Sequence, residues 1–354
     1  MNYNKKTIEQ ALEGYWYREP SEDWYANNID INKQSTKRFS QQGYKVLFIA
    51  MDTETWDRGT QNIGSFGIWQ DTHKNLHDFQ SYISGVIAAR PIEYLDDSIP
   101  QFIVGNSYNA IKYLAKFSYD HFEGKMIGIT GSAGKSTTKS MLQSLLSIDH
   151  EVTATKGNHN SRTGVPITVA CGITNPDYMV VEAAISSLWM KAGGVMKTYV
   201  PDIAMITSIG STHQRDIHQT AILKSRIAEG MNNQGTVVLN RDMNEFETVY
   251  QTVSQYNKNI ITYGFHEESH SFIKSFEETR DSSRITANIL GEEIKVTTQL
   301  SGKAMAQNVV GVLTIVKLLD IPLSSVLEKL KSYQPNKGVQ NIKSHQTHKG
   351  TNYT

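Results

Sequence analysis

Short continuous runs of apolar residues alternate along this chain with segments in which apolar residues recur every three or four positions. The first pattern is typical of strands buried on both faces, and the second of amphipathic helices. Strand-like runs occur at residues 45–51, 102–104, 126–129, 178–184, 203–209, 236–240 and 260–264. The alternation of the two patterns predicts an α/β fold with mostly parallel sheets covered by helices.

Further segments complete the predicted elements. Helical periodicity at residues 108–117 and 304–319 predicts two helices, and alternation of apolar and polar residues at 272–300 predicts a small antiparallel excursion. Residues 53–77 combine two tryptophans with several glycines and many polar residues. This composition predicts a long irregular surface loop.

The length of 354 residues predicts more than one core. Residues 1–122 are predicted to form an N-terminal α/β domain, and residues 123–333 a second α/β domain built around a phosphate-binding loop. Residues 334–354 are rich in Asn, Lys, His, Gly and Thr and poor in apolar residues. This last stretch is predicted to be a linker.

The composition excludes some classes of binding partner but does not identify a specific one. Lysine plus arginine and aspartate plus glutamate each total 35, so the formal charge is zero and no nucleic-acid partner is predicted. Cys171 is the only cysteine, which excludes an intramolecular disulfide and a cysteine-rich zinc site. No apolar run approaches the ~18 residues of a membrane span, and the first ten residues are polar. We therefore expect a cytoplasmic protein without membrane insertion.

A glycine-rich turn between a predicted strand and a predicted helix carries the clearest chemistry. It reads Gly128-Ile-Thr-Gly-Ser-Ala-Gly-Lys-Ser-Thr-Thr138, with Ile129 in the first glycine position of the strict phosphate-loop pattern. Amides at the start of a helix bind phosphate, a lysine here can reach the terminal phosphates, and the following serine hydroxyl can bind Mg²⁺. The predicted ATP-binding residues are Gly131, Ser132, Ala133, Gly134, Lys135, Ser136 and Thr137.

Five further motifs accompany this turn in a fixed order. They are Thr155-Lys-Gly-Asn-His-Asn160, Gly164-Val-Pro166, Val180-Val-Glu182, Ile209-Gly-Ser-Thr-His213 and Ile222-Leu-Lys224. Together with the glycine-rich turn, they resemble the Mur ligase family in order and spacing. The resemblance covers about residues 95–333 well and the N-terminal domain weakly.

The resemblance implies three domains, which bind a UDP-sugar, hydrolyse ATP and bind the incoming amine. From the same resemblance we expect this chain to lack the third domain. We therefore expect a truncated or degenerate member that makes little or no amide alone, or one whose missing domain comes from a separate chain.

The resemblance also implies a reaction in two steps, in which a carboxylate takes the γ-phosphoryl group of ATP and an amine then displaces phosphate. The implied substrates are a UDP-N-acetylmuramoyl peptide and D-Ala-D-Ala, as in peptidoglycan precursor synthesis. Two alternatives stay open: a Mur-type ligase of another pathway, and a nucleotide-binding protein without ligase activity.

Several residue roles follow from the resemblance. Lys135 is implied in catalysis, while Ser136 and Glu182 are implied as Mg²⁺ ligands. His213 is implied beside a second metal, and Lys224 as an N6-carboxylysine that binds this metal. The alternatives are a solvated glutamate at a strand end, a structural histidine and a solvated helix lysine.

Three asparagines complete the predicted site. Asn308 matches a family residue near the adenine, although Ala304 and Met305 replace the histidine and asparagine usual before it. Asn158 and Asn160 are predicted to bind substrate or phosphate oxygens. Their alternative is ordinary turn chemistry, because asparagine tolerates left-handed backbone conformations.

Overall fold

The computed structural model of the protein describes residues 1–60, 70–189, 194–211, 216–279 and 282–334. These residues form two β-sheets, one of five strands and one of nine, each accompanied by helices. The predicted α/β class is confirmed. Two predicted features, His213 and the linker from residue 335 onward, lie outside the described residues.

The first sheet has the strand order β1-β5-β4-β3-β2. Strands β2 to β5 pair in parallel, and β1 joins one edge of the sheet in antiparallel orientation. The elements up to the first long helix are α1 Lys5–Ala11, β1 Gly14–Arg18, β2 Asn28–Asp30, α2 Lys33–Gln41, β3 Val46–Ile49, α3 Thr53–Thr60, β4 Gly85–Ala88, β5 Gln101–Val104 and α4 Ser107–Asp120.

The second sheet has the order β14-β13-β12-β11-β10-β9-β6-β8-β7. Its elements are β6 Lys125–Thr130, α5 Lys135–Leu146, β7 Val152–Ala154, α6 Gly164–Ala170, β8 Tyr178–Glu182, α7 Ile185–Leu188, β9 Ile203–Ile206, α8 Ile217–Ser225, β10 Thr236–Asn240, α9 Phe246–Ser254, β11 Ile260–Gly264, β12 Ser271–Glu278, β13 Ser283–Ile289, β14 Glu292–Thr298, α10 Lys303–Leu318 and α11 Leu323–Ser332.

Burial explains the two parts of this second sheet. Strands β7 to β12 pair in parallel, and every residue of β8 is buried, as expected for a strand covered by helices on both faces. Strands β13 and β14 pair in antiparallel orientation, and β14 alternates buried and exposed residues. Leu290 and Gly291, with φ angles of 48° and 91°, form the tight turn between them. The predicted antiparallel excursion is confirmed.

An apolar core continues from the first sheet into the second. It includes buried residues of α1, β2 and β3 together with those of α4, α6 and β8. The Tyr3 hydroxyl donates a hydrogen bond to the Ala170 carbonyl oxygen at 2.9 Å, which ties the N-terminus to the end of α6. The proposed domain division at residues 122 and 123 falls in the short connection between α4 and β6.

The prediction of a wholly irregular segment at 53–77 was wrong, because α3 occupies its first eight residues. The Asp52 carboxylate accepts a hydrogen bond from the Thr55 amide, which caps the start of this helix. The Trp56 ring packs edge-on against Tyr108 of α4, with centroids 6.0 Å apart. Residues 61–69 lie outside the described part. Within the described ranges, no helix has the length and apolar content needed to cross a membrane.

Candidate functional site

The loop between β6 and α5 depends on two glycines. Gly131 has a φ angle of 155°, and a Cβ atom there would overlap the Thr207 side chain. Gly134 caps α5 in the left-handed region with φ 83°, and it offers no side chain to the first amides of the helix. These first amides therefore lack partners within the helix and face the space in front of its positive end.

The loop that follows β9 braces the glycine-rich loop. The Ser132 amide donates to the Ser208 carbonyl oxygen at 2.8 Å, and the Ala133 amide donates to Ser208 Oγ at 2.9 Å. Thr207 Oγ1 donates to the Ala133 carbonyl oxygen at 2.6 Å. Two of the predicted phosphate-binding amides are thus engaged with Ser208 in this conformation. Among the described residues, the amides of Gly134 and of the first turn of α5, Lys135 to Thr137, remain available to an anion.

Sequence reasoning missed the bracing residues Thr207 and Ser208. A weak signal for them exists, because they lie near the end of the strand-like run at residues 203–209. Strands β6 and β9 are paired neighbours, and loops at the carboxyl ends of adjacent parallel strands meet. The register that makes β9 the neighbour of β6 is visible only in the folded sheet.

Lys135 folds back over the glycine-rich loop. Its Nζ atom lies 3.5 Å from the Ser132 carbonyl oxygen, and among the described residues no carboxylate forms an ion pair with it. Burial lowers the pKa of Lys135, while the charge of Glu182 partly opposes this shift. The amine is therefore held in the loop without a strong anionic partner, which suits it to receive one.

Glu182 lies at the carboxyl end of β8 and is almost fully buried, with 1% of its surface exposed. Its Oε1 atom accepts hydrogen bonds from Ser136 Oγ at 3.0 Å and from Asn160 Nδ2 at 2.7 Å. Its Oε2 atom is buried and has no hydrogen-bond partner among the described residues. Burying a carboxylate oxygen without a partner is costly. The arrangement suits a small hard cation, because such cations prefer oxygen ligands.

No cluster of three or more His, Cys, Asp or Glu side chains that could hold a metal occurs in the part of the chain that the structure describes. A cation at Glu182 would therefore need ligands of other kinds as well. The Ser136 hydroxyl, which already contacts the same carboxylate, is one of them. The structure thus brings together both residues that the sequence predicts as ligands of the first metal.

Lys224 of α8 is buried beside the same loop, with 3% of its surface exposed. Its Nζ atom donates a hydrogen bond to the Gly131 carbonyl oxygen at 2.8 Å. Burial and the nearby charge of Lys135 lower the pKa of Lys224 to about 7. A large part of this amine is consequently neutral at neutral pH, unlike that of a solvated lysine.

The asparagines occupy different positions. Asn160 contacts Glu182, as described above, and Asn308 of α10 lies beside the glycine-rich loop, since a Cβ atom at Gly134 would approach Asn308 Oδ1 to 3.0 Å. Asn158 is exposed in the turn after Lys156 and takes no part in this network of described residues. Thr137 is buried within the first turn of α5.

A second lysine on α5 was also missed. Lys139 is buried, and its Nζ atom donates to the Thr155 carbonyl oxygen at 2.8 Å, while Thr155 Oγ1 accepts from the Glu182 amide at 2.9 Å. The available signal was helical spacing, since Lys139 lies four residues after Lys135 and so on the same face of the helix. Lys139 connects α5 to the strand end that carries Glu182.

Comparisons with known proteins place the chain in a family. The sequence model of the Mur ligase middle domain family matches residues 129–316, just over half of the chain. A UDP-N-acetylmuramoyl-tripeptide--D-alanyl-D-alanine ligase of Rickettsia prowazekii is 24% identical over 332 residues, covering 92% of this chain and 68% of the relative. The Bacillus subtilis ligase of the same name is 28% identical over 194 residues, covering 54% of this chain and 42% of the relative.

Solved structures share the fold. A crystal structure of MurF from Acinetobacter baumannii superposes with a TM-score of 0.72 at 22% identity, covering 96% of this chain and 70% of that one. MurF ligase from Thermotoga maritima in complex with ADP gives a TM-score of 0.64 at 20% identity, covering 87% of this chain and 66% of that one. The chain therefore belongs to the Mur ligase family, a family of ATP-dependent amide-bond ligases.

Proposed function

We propose that this chain binds ATP and activates a carboxylate as an acyl phosphate for amide formation, in the cytoplasm. The observation that carries the proposal is the buried Glu182 carboxylate. One of its oxygens is held by Ser136 and Asn160, and the other has no partner among the described residues, directly beside a phosphate-binding loop. A strand-end glutamate in solvent would not be buried in this way.

The chain's residues have distinct tasks in this reaction. The free amides at the start of α5 hold the β- and γ-phosphates, and Lys135 neutralises charge on the γ-phosphate. A substrate carboxylate oxygen attacks the γ-phosphorus, and ADP leaves. An amine nitrogen then attacks the acyl carbon, phosphate leaves, and the nitrogen loses a proton. Catalysis of both steps rests on positioning and on stabilising negative charge.

Mg²⁺ fits the first metal position, where Glu182 and Ser136 would hold it. When bound, it would supply positive charge to the phosphate oxygens. The depressed pKa of Lys224 supports carbamylation of this lysine, because only the neutral amine reacts with CO₂. The carbamate would turn a cation into an oxygen ligand for a second metal, to which His213 is proposed to contribute.

For the substrates, we propose a UDP-N-acetylmuramoyl peptide as carboxylate and D-Ala-D-Ala as amine. The support is the activity for which the relatives are named and the likeness to MurF structures over most of this chain. Asn158 and Asn160 are proposed to contact this substrate, and Asn308 the adenine. A Mur-type ligase with another carboxylate and amine is the second candidate.

The direct test is ADP release by the full chain with ATP, Mg²⁺, a panel of carboxylates and a panel of amines. We expect ADP release to require one carboxylate, and amide to form only with the matching amine, in low yield from this chain alone. Release with UDP-N-acetylmuramoyl-tripeptide and D-Ala-D-Ala would support the proposed pair, and release with another pair would support the second candidate. ATP binding without turnover on any pair would favour a nucleotide-binding protein without ligase activity.

The metal assignment predicts the effect of Glu182→Gln. This change keeps the size of the side chain but removes the charge and replaces one oxygen by an amide nitrogen, which cannot bind a cation. We expect Mn²⁺ affinity in the presence of ADP, measured by electron paramagnetic resonance, to fall by at least about tenfold, the loss of one charged ligand interaction.

A matched control is Glu151→Gln, because Glu151 is exposed just before β7. This variant should bind Mn²⁺ like the unmodified chain. Equal Mn²⁺ affinities of the Glu182→Gln and Glu151→Gln variants, both with native circular dichroism, would contradict the assignment of Glu182 as a ligand.

A further inference from the structure

A polar cleft of about 590 Å³ lies between the two sheets, away from the glycine-rich loop. One wall is formed by the C-terminal part of α2. The other walls are formed by α5, the turn after β7 and the end of α11. No residue of the phosphate-binding loop from 131 to 137 lines it, and neither does Glu182 or Lys224.

The charged residues that line this cleft are all basic. Its lining includes Arg38, Lys139, Lys156 and Lys329, and no acidic residue is among the described residues that line it. In the described part of the chain, none of these four cations forms an ion pair with a carboxylate. Asp30 and Glu182 lie close enough to act on Lys156 and Lys139, but neither lines the cleft, and a cleft lined by basic side chains attracts anions.

Two of the cations share one aromatic ring. The Lys156 Nζ atom lies 4.2 Å from the ring centroid of Phe39 and 3.6 Å from that of Tyr44, while the Arg38 guanidinium lies 5.0 Å from the Phe39 centroid. Burial lowers the pKa of Lys156, the charges of Cys171 and Asp30 oppose this shift, and the charge of Arg38 adds to it. Two like charges held together cost free energy, which a bound anion between them would offset.

A further polar group lies unpartnered in the same lining. Tyr333, directly after α11, is 7% exposed, and its hydroxyl is buried with no hydrogen-bond partner among the described residues. An unpartnered buried hydroxyl is unfavourable unless something else satisfies it. If the Tyr333 side chain shifts toward the cleft, its hydroxyl can donate to an oxyanion bound there.

We propose that this cleft is a second anion site that binds a phosphate-type oxyanion, separate from the nucleotide site. Arg38 and Lys156 bind it from one side and Lys329 from the other, so the bound anion joins α2 to α11. Phosphate geometry is favoured over a single carboxylate, because several basic side chains line one cleft and a phosphate presents more acceptor oxygens. The proposal is independent of the ligase reaction.

Inorganic pyrophosphate is a suitable probe. The binding is measured with the full chain carrying Lys135→Ala, because this substitution weakens phosphate binding at the glycine-rich loop. Calorimetry should show one pyrophosphate site in this background. Adding Arg38→Gln or Lys329→Gln should weaken binding about threefold to tenfold each, as expected for loss of one charged hydrogen bond. Both residues are exposed, so the fold should tolerate these changes.

Lys331→Gln is the matched control, because it removes the same charge from the same helix as Lys329→Gln. Lys331 pairs with Glu328 and does not line the cleft. It should leave pyrophosphate affinity unchanged. Absence of binding in the Lys135→Ala background would overturn the proposal, as would equal affinities in the Arg38, Lys329 and Lys331 variants. Citrate tests whether a carboxylate binds as well as a phosphate. Weaker binding of citrate than of pyrophosphate supports a phosphate site, and tighter binding of citrate overturns the proposal.

Discussion

Lys135→Ala is expected to weaken ATP binding by at least about 100-fold, which corresponds to about 2.7 kcal/mol. The Lys135 amine lies over the glycine-rich loop with only a carbonyl oxygen near it and no carboxylate partner among the described residues. Charge-assisted hydrogen bonds to phosphate are among the strongest in proteins, and this amine is the one that the loop presents. The fold should survive, because Lys135 begins α5 and alanine is a good helix former.

Isothermal calorimetry with Mg-ATP measures this effect. Lys125→Ala is the control, since Lys125 lies at the opposite end of β6, is exposed and only approaches Asp202 at 3.5 Å. It should bind ATP normally. An unchanged affinity in the Lys135→Ala variant would remove the assignment of residues 131–137 as the phosphate site.

Lys224→Ala is expected to reduce acyl-phosphate formation by at least about 1,000-fold, a loss of about 4 kcal/mol of transition-state stabilisation. If Lys224 carries a carbamate, the variant loses a metal ligand and not only a cation. Its fold should persist, because a buried amine with a pKa near 7 contributes little to stability as a charged group. The measurement is phosphate or ADP release with the active carboxylate, alongside circular dichroism.

The carbamate has two signatures that a merely structural lysine lacks. Short carboxylates such as acetate should partly restore turnover to Lys224→Ala but not to Glu182→Gln. In the unmodified chain, activation by added CO₂ should increase as the pH rises through about 7, because the neutral amine forms in that range. Turnover of the alanine variant at the normal rate, or a free ammonium at Lys224 in a metal-bound crystal under CO₂, would contradict the carbamate.

The parts of the site that lie on one continuous segment were predictable from the sequence. Strand, turn and helix around Gly134 follow one another in the chain, so local patterns suffice to predict their arrangement. Glu182 was predictable because it ends a fully apolar strand. The contact between Glu182 and Ser136 adds the tertiary detail that β6 and β8 are neighbours.

Features that depend on contacts between distant segments were not predictable. Thr207 and Ser208 brace the loop only because β9 pairs with β6, and their place near the end of a predicted strand does not show which loop they contact. Helix α3 escaped prediction for a similar reason, since Trp56 is stabilised by Tyr108 of a later helix. The glycines and polar residues of residues 53–77 favoured a loop over a helix in the prediction from sequence.

The continuous core across α4 and α6 affects how the chain can be divided. A boundary at residues 122 and 123 is convenient on paper, but a fragment that starts there leaves the apolar face of α6 without α4, and without the Tyr3 hydroxyl at its end. Such a fragment would expose to solvent an apolar surface that is buried in the intact chain. We therefore expect the two sheets, with the helices between them, to unfold as one unit.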